Sequence, residues 1–429
     1  MKANLMKVNR HQFKNGLKLI TIPRPGTKAT ALFAFAGTGS GYESKESAGV
    51  SHFLEHLMFK GTLQRPTPLA VAETIDSVGG VMNAFTGREY TGYFAKVNAR
   101  HFDTALDWLS DIYLNAKLSE DDINREKGVI LEELNMYLDT PMQYVEELWY
   151  HLLYGNHPLG QDIIGTRTSI RRMNRRQLLD HRRTYYHAGN TTVVVAGRID
   201  PSLDVVQKVG QAFSTIPVRK KKKAAPPLQE KQVRPGLKIQ SKKTDQTHFC
   251  LGVRGYSLRH QERFPQAVLA ALLGGNMSSR LFSLIREKSG LAYYVRTSSD
   301  TLKDAGFLMT QAGVDNRRAD RAIELILSEY QRVKEEPVPT AELQKAKEYL
   351  KGVLWLSLEN AENLASYYAQ YEVLGIKPMT PEEICRKIDQ VDASSIQRLS
   401  RKIFQNQNLN LSLIGPAEEN QFNKILKIA

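Results

Sequence analysis

Cysteine is scarce: the 429 residues include two, Cys250 and Cys385, far apart and without any ligand spacing. That excludes a disulfide scaffold and a cysteine-built metal site, and leaves the compartment reducing or undetermined. Long apolar runs are missing too. No window reaches the ~18 apolar residues that a membrane-spanning helix needs. The N-terminal stretch MKANLMKVNRHQF is basic but lacks the apolar core of a secretory signal. These absences predict a cytoplasmic protein with no membrane partner. Concentrated charge is lacking as well. The net +14 arises from 59 basic against 45 acidic residues and is spread thinly. Its densest run, RKKKK at 219–223, adjoins small residues and prolines and reads as a solvated linker. The stretch RRMNRR at 171–176 reads as a solvated face, so no nucleic-acid partner is expected.

What is present is an ordinary globular composition, 41% apolar and 24% charged, in a chain long enough for roughly two to three domains. Short apolar segments at 17–22, 29–36, 90–97 and 191–196 read as strands. Helical spacing marks 51–59, 68–78 with Thr67 as its cap, 99–115, and a long amphipathic stretch at 121–138. The same order then returns about 218 residues later, at 247–255, 306–330, 339–359 and 409–415. The chain therefore divides into two homologous domains, 1–216 and 236–429, joined by a Lys/Pro-rich linker at 217–235. At that offset His56 corresponds to Gly274 and Glu133 to Lys351. Metal chemistry belongs to the first copy alone.

The chemistry-bearing motif is His52-Phe53-Leu54-Glu55-His56. Histidines at i and i+4 of a helix project from one face, at a separation a single zinc ion can bridge. Glu55 can lean over the same ion without binding it and take a proton from zinc-bound water. The five residues also fit an ordinary helical histidine pair, so a third ligand decides. Glu126 and Glu133, two helical turns apart, share a face with Val129 and Ile130. Two carboxylates on so apolar a face are unexpected for a solvated helix. One ligating the metal and the other bracing a histidine would explain both, whereas Glu132 fits an exposed acidic face.

HFLEHLMFKGT, with 76 residues between His56 and Glu133, and EKGVILEE ending at Glu133 resemble the pitrilysin/insulinase-type metallopeptidases. The subgroup is the half-length one that includes the mitochondrial processing peptidase β subunit and bacterial relatives. The resemblance implies Zn2+ held by His52, His56 and Glu133, Glu55 as base, and Glu126 as a supporting carboxylate. It implies an α+β fold of two duplicated domains, each a mainly antiparallel sheet with helices packed on one face. Asn83, Ala84, Phe85 and Thr86 resemble the edge strand that pairs with substrate backbone. Arg286 and Tyr293, in MSSRLFSLIREKSGLAYYV, resemble an Arg–Tyr pair that stabilises the oxyanion. The implied activity is a zinc-dependent endopeptidase acting on peptides or unfolded polypeptides inside a dimeric chamber. The partner is a second copy, which would put Arg286 and Tyr293 in trans, or else a paralogue. A specific processing peptidase and a non-catalytic assembly subunit are the alternatives.

Overall fold

The computed structural model describes residues 7–219 and 224–428; the first six residues and the lysines at 220–223 of the expected linker lie outside the described residues. Strands β1 (Asn9–Gln12), β2 (Lys18–Pro23) and β3 (Ala29–Ala36) lead into helices α1 (Val50–Met58) and α2 (Pro68–Asp76). The hairpin of β4 (Val81–Thr86) and β5 (Thr91–Asn98) follows. Next come α3 (Phe102–Asn115), α4 (Glu120–Leu138), α5 (Pro141–Tyr154), α6 (Arg167–Arg172) and α7 (Arg175–Tyr185). β6 (Thr191–Gly197) and α8 (Val205–Ala212) close the first round. The second round runs β7 (Gly236–Ser241), β8 (Gln246–Arg254), α9 (Arg263–Gly274), β9 (Ala292–Thr301), β10 (Gly306–Asp315) and α10 (Ala319–Glu335). A π-helical turn, Phe282–Lys288, separates α9 from β9. Helices α11 (Thr340–Ser357), α12 (Ala361–Leu374), α13 (Pro381–Asp389) and α14 (Ala393–Ile403) precede β11 (Leu409–Gly415). No helix among the described residues is long and apolar enough to cross a membrane.

Two compact units result, and neither is contiguous in sequence. The first holds Met1–Leu134, Gln161–Pro226 and Leu356–Pro378; the second holds Asn135–Gly160, Pro227–Trp355 and Met379–Ala429. A split at the linker does not anticipate this. Helix α12 belongs to the first unit and α5 to the second.

The first unit is built on a six-stranded sheet in the order β1-β2-β6-β3-β5-β4. Only β2 and β6 run parallel; the other neighbours are antiparallel. Strands β3 and β6 are buried almost throughout, as continuous apolar runs require when both faces are covered. On one face Tyr93 of β5 meets Tyr113 of α3, ring centroids 5.8 Å apart. On the other, Phe33 stacks on Phe94 at 4.7 Å, and Lys96 pairs with Glu362 of α12 at 3.2 Å. The sheet thus carries its helical layer on one side and a single helix on the other.

The second unit repeats the plan with five strands in the order β7-β11-β8-β10-β9, again with one parallel pair, β7 and β11. Thr310 of β10 bonds Tyr330 of α10 at 2.7 Å on the helical side. The opposite side is covered by α5, where Trp149 packs edge-on to Phe307 at 5.8 Å. The fold is α+β with mainly antiparallel sheets, as expected. The covering helices α5 and α12 are the addition.

Candidate metal centre

Helix α1 is fixed at its start by a carboxylate. Glu43 accepts hydrogen bonds from the Gly49 and Ser51 N–H groups at 2.6 and 2.8 Å. An anion there satisfies the otherwise unpaired donors of the first turn and opposes the positive end of the helix dipole. Burial pushes the Glu43 carboxyl above its ordinary range, against the pull of these donors. Gly49 has φ +88°, and a Cβ there would meet the Ile164 carbonyl oxygen at 2.4 Å, so only glycine fits. Phe53, Leu54, Leu57 and Met58 are buried, which turns His52, Glu55 and His56 to the partly open side.

Helix α4 brings the carboxylates. Ile123, Ile130 and Leu134 anchor it in the core, and Glu133 reaches both histidines. His52 Nε2 lies 3.6 Å from Glu133 Oε1, and His56 Nε2 lies 3.4 Å from Oε2. The three residues form a group able to hold a metal ion, their donor atoms all within 4.8 Å of one another. Donors about 2.0–2.1 Å from one tetrahedral ion lie roughly 3.3–3.4 Å apart, so the set fits zinc with little adjustment. Glu126, 3% exposed, accepts from His56 Nδ1 at 2.7 Å and from Lys60 Nζ at 2.7 Å. This contact fixes the His56 ring with Nε2 directed at the donor cluster.

The electrostatics follow from these contacts. Burial alone would lower the His56 pKa, but hydrogen bonds to Glu126 and Glu133 outweigh it and raise it to about 9. The imidazoles of His52 and His56 facing Glu133 hold its carboxyl down at about 2. With its pKa at about 9 the metal-free His56 keeps its proton at pH 8, and a metal ion taken up at Nε2 would have to displace it. An ordinary histidine would release almost none there. Zinc binding at pH 8 is expected to release about one proton from His56, with affinity climbing about tenfold per pH unit and levelling off above pH 9. Calorimetry in buffers of different ionisation enthalpy measures this, and Glu126→Gln should reduce the release. Zinc uptake without proton release at pH 8 would contradict it.

Glu55 is not among the three donors. Its Oε2 accepts from Thr86 Oγ1, on β4, at 2.5 Å. Asn83, Ala84 and Phe85 lie on the same strand, which ends the sheet and pairs only with β5 among the described strands. Arg286 and Tyr293 come together in the second unit, the guanidinium 5.9 Å from the ring centre, with Tyr293 75% exposed. Tyr294 is engaged elsewhere, its hydroxyl 3.0 Å from His248 Nδ1. Sequence reasoning missed Glu43, Lys60 and the Thr86 hydroxyl bond. Lys60 alone left a signal, one helical turn beyond His56.

A family model described as Insulinase (Peptidase family M16) matches residues 18–167, and one described as Peptidase M16 inactive domain matches 172–350. An uncharacterized zinc protease of Bacillus subtilis is 34% identical over 410 residues, 96% of this chain and 98% of its own. The chain belongs to the M16 peptidase family. A second relative, an uncharacterized zinc protease of Rickettsia bellii, is 33% identical over 97% of this chain and 98% of its own. The fold is shared with a protease from Helicobacter pylori at a TM-score of 0.89 and 24% identity, covering 96% of this chain and all of that one. An M16 inactive-domain protein from Pseudomonas fluorescens matches at a TM-score of 0.87 and 18% identity, covering 96% and 99%. Family and donor chemistry agree on a metallopeptidase whose cofactor is Zn2+.

Proposed function

We propose that this chain is an endopeptidase cutting extended peptides, with His52, His56 and Glu133 holding Zn2+ and Glu55 as general base. The observation that carries this is the convergence of three donors beside a carboxylate outside their set, itself held by Thr86. When bound, Zn2+ supplies the Lewis acidity that makes a water molecule a competent nucleophile near neutral pH. The remaining tasks belong to side chains. Glu55 takes the proton of the attacking water and returns it to the leaving amine. Glu126 orients His56 through Nδ1. Arg286 and Tyr293 donate to the carbonyl oxygen as charge develops on it. The outer side of β4 at Asn83, Ala84 and Phe85 receives the peptide as an added strand, bound through main-chain hydrogen bonds.

Residues 1–216 then carry the chemistry, and 236–429 supply the Arg–Tyr donors. A homodimer in which each chain lends Arg286 and Tyr293 to the other completes two sites within one chamber; a paralogue in place of the second copy is the alternative. The two free cysteines suit the cytoplasm. A specific processing role is a narrower form of the same activity. The presence of every donor and the base weighs against a non-catalytic assembly subunit. The test is metal analysis of the purified protein with cleavage of a mixed peptide library. About one zinc per chain and internal cleavage abolished by chelator are expected; a zinc-loaded protein that cuts nothing overturns the proposal. Mixing Glu55→Gln with Arg286→Ala chains should restore activity, and no rescue counts against donation in trans.

A further inference from the structure

We propose that Thr86 is a positioning residue: its hydroxyl fixes the Glu55 carboxylate for proton transfer and ties it to the strand that reads the peptide. This rests on Glu55 being the base and β4 being the peptide-binding strand. The contact spans 31 residues of sequence and joins two elements that otherwise have separate tasks, the metal helix α1 and the terminal strand β4.

Thr86 is well placed to hold another group still. It is the last residue of β4, paired with Thr91 of β5. Thr91 is fully buried, and its hydroxyl donates to the Thr38 carbonyl at 3.0 Å. The turn beyond is closed by the Gly87 N–H on the Tyr90 carbonyl at 2.9 Å, and the Gly87 carbonyl accepts from the Ser40 N–H at 3.2 Å. The backbone at Thr86 is therefore held from the partner strand, the turn and the 38–40 segment. A β-branched side chain on such a backbone has few rotamers, so its hydroxyl points in a fixed direction. A glutamate on a helix has three rotatable bonds and no comparable restraint of its own. The Thr86 hydroxyl donates to Oε2, so proton transfer can fall to the other oxygen, Oε1.

The arrangement also couples steps. A peptide added to β4 takes its register from the strand's main chain. Thr86 belongs to that strand, so the base is referenced to the same frame as the scissile bond. Alignment between proton acceptor and reacting atoms is what a misplacement of about 1 Å destroys, at a cost near a hundredfold in rate.

The experiment is steady-state kinetics on the full-length protein for Thr86→Val, which keeps the shape and removes the hydroxyl, and Thr86→Ser, which restores it. For Thr86→Val, kcat should fall about tenfold to a hundredfold, with KM and zinc affinity from chelator competition within about twofold of wild type. A crystal structure of that variant should show the Glu55 carboxylate turned away from β4. Thr86→Ser should recover most of kcat. An unchanged kcat overturns the proposal. So does a loss of zinc affinity in step with kcat, which would make Thr86 a support of the metal helix, or a rise in KM alone, which would make it a peptide contact. A wild-type protein without chelator-sensitive hydrolysis would instead defeat the endopeptidase assignment on which the proposal rests.

Discussion

Glu55→Gln is expected to leave the fold and the bound zinc intact while turnover falls at least a hundredfold, and by up to about ten-thousandfold. The amide has the size of the carboxylate, and its oxygen can still accept from Thr86 Oγ1, so the side chain keeps its place. What it loses is the capacity to take a proton. Glu55 is outside the group formed by His52, His56 and Glu133, so metal content should stay near that of wild type. Substitution within the group has a different signature. Glu133→Gln removes the carboxylate that faces both histidines at 3.4 and 3.6 Å, and zinc affinity should fall together with activity. Near wild-type hydrolysis by a zinc-loaded Glu55→Gln protein would remove Glu55 from the role of base.

The contrast between those variants reflects which parts of the site could be read from sequence. His52, Glu55 and His56 are local: a helix of period 3.6 places them on one face, and their spacing is visible without a fold. Glu126 and Glu133 are also tied by helical spacing; of the two apolar residues that made their face stand out, Ile130 is buried and Val129 is exposed. Joining the two helices required the resemblance. The duplicated order of strands was legible because β3, β6, β8 and β11 are short apolar runs buried along their lengths. Contacts between residues far apart in the chain left no trace. Thr86 reads in the sequence only as part of an edge strand, with nothing to tie its hydroxyl to Glu55, and Glu43 is one acid among polar residues until the fold sets it beneath α1. The covering helices were hidden for a related reason. Periodicity says which face of a helix is apolar, but not which sheet it covers.

That last point has a measurable consequence. A fragment of residues 1–226, which contains the whole metal motif, is expected not to fold, because α12 lies at 361–374 and belongs to the same unit. Without it the sheet face bearing Phe33 and Phe94 loses its cover, and the pairs Lys96–Glu362 and Lys18–Glu372 are lost. In α12, Leu364, Tyr368, Val373 and Leu374 are all buried. At about 1.5–3 kcal/mol each, their burial contributes roughly 6–12 kcal/mol as an upper estimate. The net stability of a typical domain is about 5–15 kcal/mol, so the loss is comparable with the whole. An uncovered sheet face of aromatic and β-branched residues also invites association with other chains. The fragment should aggregate or melt without a sharp transition in calorimetry. Appending residues 356–378 through a flexible linker should restore a cooperative transition, since it returns the cover without the second unit. A soluble 1–226 fragment with a sharp melt would show that α12 adds little to the first unit. The zinc helix would then need nothing from the C-terminal half to hold its shape.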